Sequence, residues 1–73
     1  MELKTKPKEL NLAEEIKKWR KKQEISQDQL ARKADMPLTT LAKIEAGIIK
    51  KPSIQSMIKI ANAFNITLDE LIK

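Results

Sequence analysis

Apolar residues recur along this chain at spacings of three and four, and no stretch alternates apolar and polar positions in the way a half-buried strand would. Five helices follow from that period. Leu12, Ile16 and Trp19 share one face of the first, with Lys17, Lys18, Lys21 and Lys22 on the other. Leu30, Ala31 and Ala34 form the inner stripe of the second. The third runs from about Leu38 to Ala46, anchored by Leu41 and Ile44. Ile54, Met57, Ile58, Ala61 and Phe64 are read as the inner face of the fourth, and Leu68, Leu71 and Ile72 as that of a short fifth.

Capping chemistry punctuates the same pattern. Asn11 and Glu14, Ser26 and Gln29, and Thr67 and Glu70 are each spaced as a capping box, in which a side-chain oxygen and an acceptor three residues on satisfy each other's backbone amides. Ser53, just after Pro52, is a fourth N-cap. Gly47 and Asn65 stand where the third and fourth helices must stop, and both tolerate the left-handed conformation that ends many helices. Asp35-Met36-Pro37 breaks the second helix from the third: Asp35 bends the chain, Met36 plugs inward, and Pro37 occupies a first-turn position where its missing N–H costs nothing.

The expectation is therefore an all-α, compact five-helix bundle over residues 11–73, preceded by a flexible basic N-terminal arm over residues 1–10. With 73 residues there is room for one domain. The second and third helices are short and joined by a tight break of about three residues, which is the helix-turn-helix spacing. Small Ala31 lets the third helix cross close over the second. The outer face of the third, taken in 100° steps, holds Thr39, Ala42, Lys43 and Ala46, with Leu38 at its leading edge and Thr40 between that face and the core.

Composition narrows the function classes. The chain has neither Cys nor His, so no disulfide framework, thiolate metal site or histidine-based triad is expected, and no metal or cofactor. The carboxylates form no paired arrangement, so no catalytic residue and no enzymatic activity is expected. Aromatic residues are 3% of the chain, too few for stacking along single-stranded nucleic acid. The net charge of +5 is uneven: residues 1–22 carry eight basic residues against four acidic ones, and residues 36–52 carry three lysines against Glu45. That balance favours a polyanionic partner. No signal peptide or membrane-spanning run is apparent, so a cytoplasmic, nucleoid-associated location and no membrane partner are expected.

"ISQDQLARKADMPLTTLAKIEAG" followed by "KPSIQSMIKIANAFNITLDEL" resembles the Cro and lambda-repressor-like (XRE) helix-turn-helix family. The resemblance rests on Ser26-Gln27, Leu30-Ala31, Ile44-Glu45-x-Gly47, Pro52-Ser53 and Leu68-Asp69-Glu70-Leu71, and covers about residues 12–72. It implies sequence-specific binding to double-stranded DNA, usually at a palindromic operator and as a homodimer, by a transcriptional regulator, with repression expected over activation. Residue by residue, it implies that Gln27 contacts the DNA backbone and supports the reading helix. Arg20 and Glu45 match an internal ion pair, and Lys50 and Lys51 match a loop laid along phosphates, with Lys22 serving similarly. On the reading face, Thr39 and Lys43 are the candidates for base edges, Leu38 for a thymine methyl, and Thr40 for a flanking contact. Ile66, Leu68, Leu71 and Ile72 are the candidate dimer patch, with a place in the monomer core the favoured alternative for Leu68 and Leu71.

The chain departs from the family at Glu24 and Asp35, where glycine is common, at Pro37, where a Ser or Thr cap is usual, and at Ala46, where a polar residue often meets phosphate. The alternative reading is an antitoxin-like interaction protein that binds a toxin partner and autoregulates its promoter.

Overall fold

A computed structural model describes residues 11–72, so the arm expected over residues 1–10, and Lys73, lie outside the described residues. The described chain is all-helical: α1 (Leu12–Gln23), α2 (Gln27–Lys33), α3 (Leu38–Glu45), α4 (Ile54–Phe64) and α5 (Leu68–Ile72). The first helix touches α3, α4 and α5, while α2 packs between α3 and α4.

Four of the five helices start where the sequence offers a side-chain acceptor. Ser26 and Thr67 make complete capping boxes. Gln29 N–H donates to Ser26 Oγ at 3.0 Å and Ser26 N–H to Gln29 Oε1 at 2.7 Å. The corresponding Thr67 and Glu70 bonds are 3.1 and 2.8 Å. Asn11 Oδ1 accepts from Glu14 N–H at 3.4 Å, and Ser53 Oγ from Ser56 N–H at 3.1 Å. Pro37 differs from expectation by one position. It is the N-cap of α3, with φ −65° and ψ 140°, rather than a first-turn residue. Its carbonyl accepts the first amides of the helix, from Thr40 at 3.1 Å and Leu41 at 3.2 Å, and no side chain caps that end. The first amides of α3 therefore have no side-chain oxygen from the cap.

Four helices stop by one device. Glu24, Asp35, Gly47 and Asn65 have φ of 57°, 55°, 81° and 62°. In each case the left-handed residue bonds back three residues and the next amide bonds back five. The pairs are Glu24 to Lys21 with Ile25 to Arg20, Asp35 to Arg32 with Met36 to Ala31, Gly47 to Ile44 with Ile48 to Lys43, and Asn65 to Asn62 with Ile66 to Ala61. This is the Schellman closure, which satisfies the last carbonyls and turns the chain sharply. The residue after each left-handed position is apolar. Ile25, Met36 and Ile66 pack against the core, whereas Ile48 stands 70% exposed.

The core draws on all five helices: Leu12 and Ile16, then Leu30, Ala31 and Ala34, then Leu41 and Ile44, then Ile60, Ala61 and Phe64, and finally Leu71. Trp19 lies half-buried at its edge, its ring 6.2 Å from that of Phe64. Gln23 Nε2 donates to the Phe64 carbonyl at 2.8 Å, so α1 also supplies a donor to the end of α4.

Two expectations about burial are corrected. In α4, Ile60 is fully buried while Ile54 and Ile58 are 55% and 43% exposed. The inner stripe is Met57, Ile60, Ala61 and Phe64. Ile58 and Ile60 lie about 160° apart on a helix, so only one of them can face in, and a helix with so many apolar positions does not announce which. In α5, Leu71 is fully buried and cannot belong to an exposed patch, while Ile66, Leu68 and Ile72 are partly buried against the core.

A non-glycine residue in the left-handed region costs roughly 1–2 kcal/mol. Glu24→Gly and Asp35→Gly, both at exposed positions, are each expected to raise the unfolding free energy by about 1 kcal/mol. Urea titration followed by Trp19 fluorescence reads the change. A lowered midpoint in both variants would show that the strain is not there.

Candidate nucleic-acid interface

The short α2 and the α3 that follows are joined through the Schellman turn at Asp35 and the extended Pro37. Met36, half-buried against the core, fills the inside of that turn, and Lys59 of α4 donates to the Asp35 carbonyl at 3.3 Å from outside. Leu41 and Ile44 fix α3 from below, each essentially without solvent exposure. That leaves the opposite side of α3 free. Leu38, Thr39, Lys43 and Ala46 are exposed along it, and Thr40 and Ala42 are half-buried at its margins.

Behind that face sits the only buried charged side chain among the described residues, Glu45, 3% exposed. Its carboxylate accepts from Arg20 Nε at 2.8 Å, Arg20 Nη2 at 2.9 Å and Gln27 Nε2 at 3.2 Å. Arg20 also donates through Nη1 to the Ile25 carbonyl at 3.3 Å. The bidentate geometry is the strongest that a guanidinium and a carboxylate can make. The Glu45 hydrogen bond raises the Arg20 guanidinium above its ordinary pKa, outweighing the opposing effect of partial burial, and charge attraction adds to the rise. The Arg20 guanidinium is therefore charged across the physiological range. One carboxylate thus joins α1, the first residue of α2 and the last residue of α3.

Gln27, expected at the DNA backbone, is half-buried with its amide nitrogen turned toward Glu45. Its backbone sits in the first turn of α2, where amides are available to an anion. Beyond α3, Ile48 and Ile49 N–H both donate to the Lys43 carbonyl, at 2.9 and 3.1 Å, which folds the loop back beside Lys43. Lys50 and Lys51 follow it, both exposed.

Electrostatics separates this end of the molecule from the rest. Lys17 and Lys18 lie 3.7 and 3.4 Å from Glu14 and Glu15, and Arg32 lies 3.1 Å from Asp28. Between residues 36 and 52 the one acidic residue is Glu45, which is buried and paired with Arg20, so Lys43, Lys50 and Lys51 form a cationic edge without a surface counter-charge in that segment. Lys22 does not join it. Its ammonium lies 4.8 Å from the centre of the Trp19 ring, in a depression shared with Glu15, Lys18 and Glu70. Two residues along a helix is a rotation of about 160° the short way round, so Arg20 facing α3 sends Lys22 to the opposite flank.

Two features of the surface escaped the sequence reading. Ile48 stands exposed beside Lys43, and Ile54 and Ile58 form an exposed apolar pair on α4. No sequence signal marked Ile48, since Ile25, Met36 and Ile66 hold the equivalent place after a left-handed residue and pack against the core. The signal for α4 was an excess of apolar residues over one helical stripe. Among the described residues no group of His, Cys, Asp or Glu is placed to hold a metal ion, and no helix is long and apolar enough to cross a membrane.

A helix-turn-helix family model matches residues 16–71 of this chain. An uncharacterized HTH-type transcriptional regulator of Rickettsia prowazekii (strain Madrid E) is 40% identical over 76 aligned positions, covering all of this chain and 77% of the relative. No solved structure matches significantly.

Removing one member of a buried ion pair strands the other, at a cost of about 3 kcal/mol or more, which is comparable with the whole stability of a domain this small. Glu45→Ala and Arg20→Ala are each expected to leave the domain largely unfolded at 37 °C by circular dichroism. The double variant Arg20→Met/Glu45→Met is expected to recover most of the loss, because an apolar pair of similar volume strands no charge. Single variants that melt within a few degrees of the parent would show that the carboxylate is not a structural tie.

Proposed function

The chain belongs to the helix-turn-helix family, and on that premise we propose that it is a transcriptional regulator that binds double-stranded DNA sequence-specifically, with α3 in the major groove. The observation that carries this reading is the exposed outer face of α3, held in register with the N-terminus of α2 by the Glu45 carboxylate. A major groove admits one helix, and phosphate contacts on either side of it set the depth of entry. The α2 amides with Gln27 supply one such contact, and Lys50 and Lys51 supply the other. Thr39, Lys43 and Leu38 meet base edges, with Thr40 at the margin.

The regulator acts as a symmetric dimer on a palindromic operator, and blocking of a promoter is the favoured outcome. Support for self-association comes from α4. Its exposed residues Ile54, Gln55, Ile58 and Asn62 carry no charge, although 34% of the chain is charged. The one charged residue of α4, Lys59, is directed to the Asp35 carbonyl. Close to a twofold axis a charge meets its own copy, so an uncharged apolar strip suits an isologous contact. Ile54 and Ile58, with half-buried Ile66 near the end of the same helix, replace the α5 residues as the dimer surface. The same strip is what a toxin partner needs in the antitoxin-like alternative, and the oligomeric state distinguishes the two.

Selection of bound duplex from a random pool at two salt concentrations tests the DNA reading. Three lysines per copy, six per dimer, give an expected slope of log K against log salt of about −5. Lys43→Ala is expected to change the enriched motif, whereas Lys50→Ala weakens all duplexes alike. Failure to enrich any motif would refute sequence-specific binding. Ile58→Lys is expected to shift the protein to monomer in sedimentation and to weaken operator binding roughly 10-fold or more. A parent protein that stays monomeric at high concentration refutes the dimer and leaves the strip to a different protein.

A further inference from the structure

Resting on the DNA-binding reading above, we propose that this protein recognises its operator chiefly through the 5-methyl groups of thymine, and that Leu38 and Ile48 are the residues that detect them. The argument begins with what the exposed side of α3 can offer. Its hydrogen-bonding side chains are Thr39 and Lys43, with Thr40 half-buried at the margin. None of them is the planar, two-pronged group that reads guanine or adenine in one bidentate contact. The rest of the surface is hydrocarbon: Leu38 at 42% exposure, the Thr39 methyl, Ala42, Ala46, and Ile48 at 70% exposure.

In the major groove only thymine presents an apolar group, so an apolar surface can discriminate there in one direction only. Lys43 adds attraction to a guanine edge or to a phosphate, and Thr39 bonds to any base. The weight of discrimination therefore falls on the methyls. Ile48 adjoins this surface because it directly follows the closure of α3, where its amide bonds to the Lys43 carbonyl at 2.9 Å, and its side chain is exposed there. It is also the one residue following a left-handed helix end in this chain that does not pack inward. Leu38 and Ile48 thus bracket α3 at its two ends.

The chemistry has a direct probe. Deoxyuridine pairs as thymidine does and lacks only the methyl. The full chain is titrated with the duplex most enriched by selection, and with the same duplex in which each half-site thymine is replaced by deoxyuridine. Burial of one methyl corresponds to about a fourfold change in affinity, so two contacted methyls per copy, four per dimer, give a loss on the order of 200-fold. Ile48→Ser and Leu38→Ser, both changes at exposed positions, are each expected to erase the thymine-to-uracil difference at one operator position. The salt slope is expected to stay as in the parent protein. Binding of the uracil duplex within twofold of the thymine duplex overturns the proposal while leaving sequence-specific binding intact. A thymine preference that persists unchanged in both serine variants overturns the assignment to Leu38 and Ile48. Absence of binding to any duplex removes the DNA-binding reading and this inference together.

Discussion

A single carboxylate decides how α1, α2 and α3 meet in this molecule. Glu45 is the last residue of α3 and sits where water cannot reach it, so its charge must be answered by protein donors. Arg20 answers it from α1 with two nitrogens, and Gln27 answers it from the first turn of α2. The tie contributes little net energy, because desolvation offsets most of its attraction. Its effect is on geometry: alternatives in which α3 rolls or slides would strand a charge.

The hydrophobic core supports this frame without specifying it. Leu30, Leu41, Ile44, Ile60 and Phe64 supply the burial, yet apolar contacts tolerate rotation of a short helix better than a bidentate bond does. The chain reversals supply the second constraint. Four of the five helices end in the same left-handed closure, and each one sends the chain back toward the core within two residues. In a domain with one glycine, three of those closures are carried by Glu24, Asp35 and Asn65. The protein accepts local backbone strain in return for short connections, and short connections are what let five helices fit into so few residues.

Much of this was legible in the sequence. The period of three and four gave the helices, and the caps at Ser26, Ser53 and Thr67 fixed their starts, because capping is a local contest between a side chain and the nearest orphan amides. Gly47 and Asn65 could be located because each ends a helical stripe, and Glu24 and Asp35 because they stand where the resembled family carries glycine. The inner face of α4 was not legible. Seven of its eleven residues are apolar, so the period cannot separate the stripe that faces α1 and α2 from the one that faces solvent. The direction of Lys22 was missed for a related reason. Charge says that a lysine stays in water, but only the packing of Trp19 against Phe64 tells which side of α1 the water is on. Arg20 and Glu45 were expected as an ion pair from the family resemblance, and the structure brings them together in a bidentate contact.

The placement of Glu45 behind α3, rather than on it, has a consequence for how such a protein changes over time. The residues that hold the helix and the residues that face outward are different sets. Leu38, Thr39, Lys43, Ala46 and Ile48 are exposed, and substitutions at exposed positions usually alter stability by no more than about 0.5 kcal/mol. The tie and the core remain untouched when those five are exchanged. The chassis and the address are thus written in separate letters, and a new address can be drafted on the same chassis without refolding it.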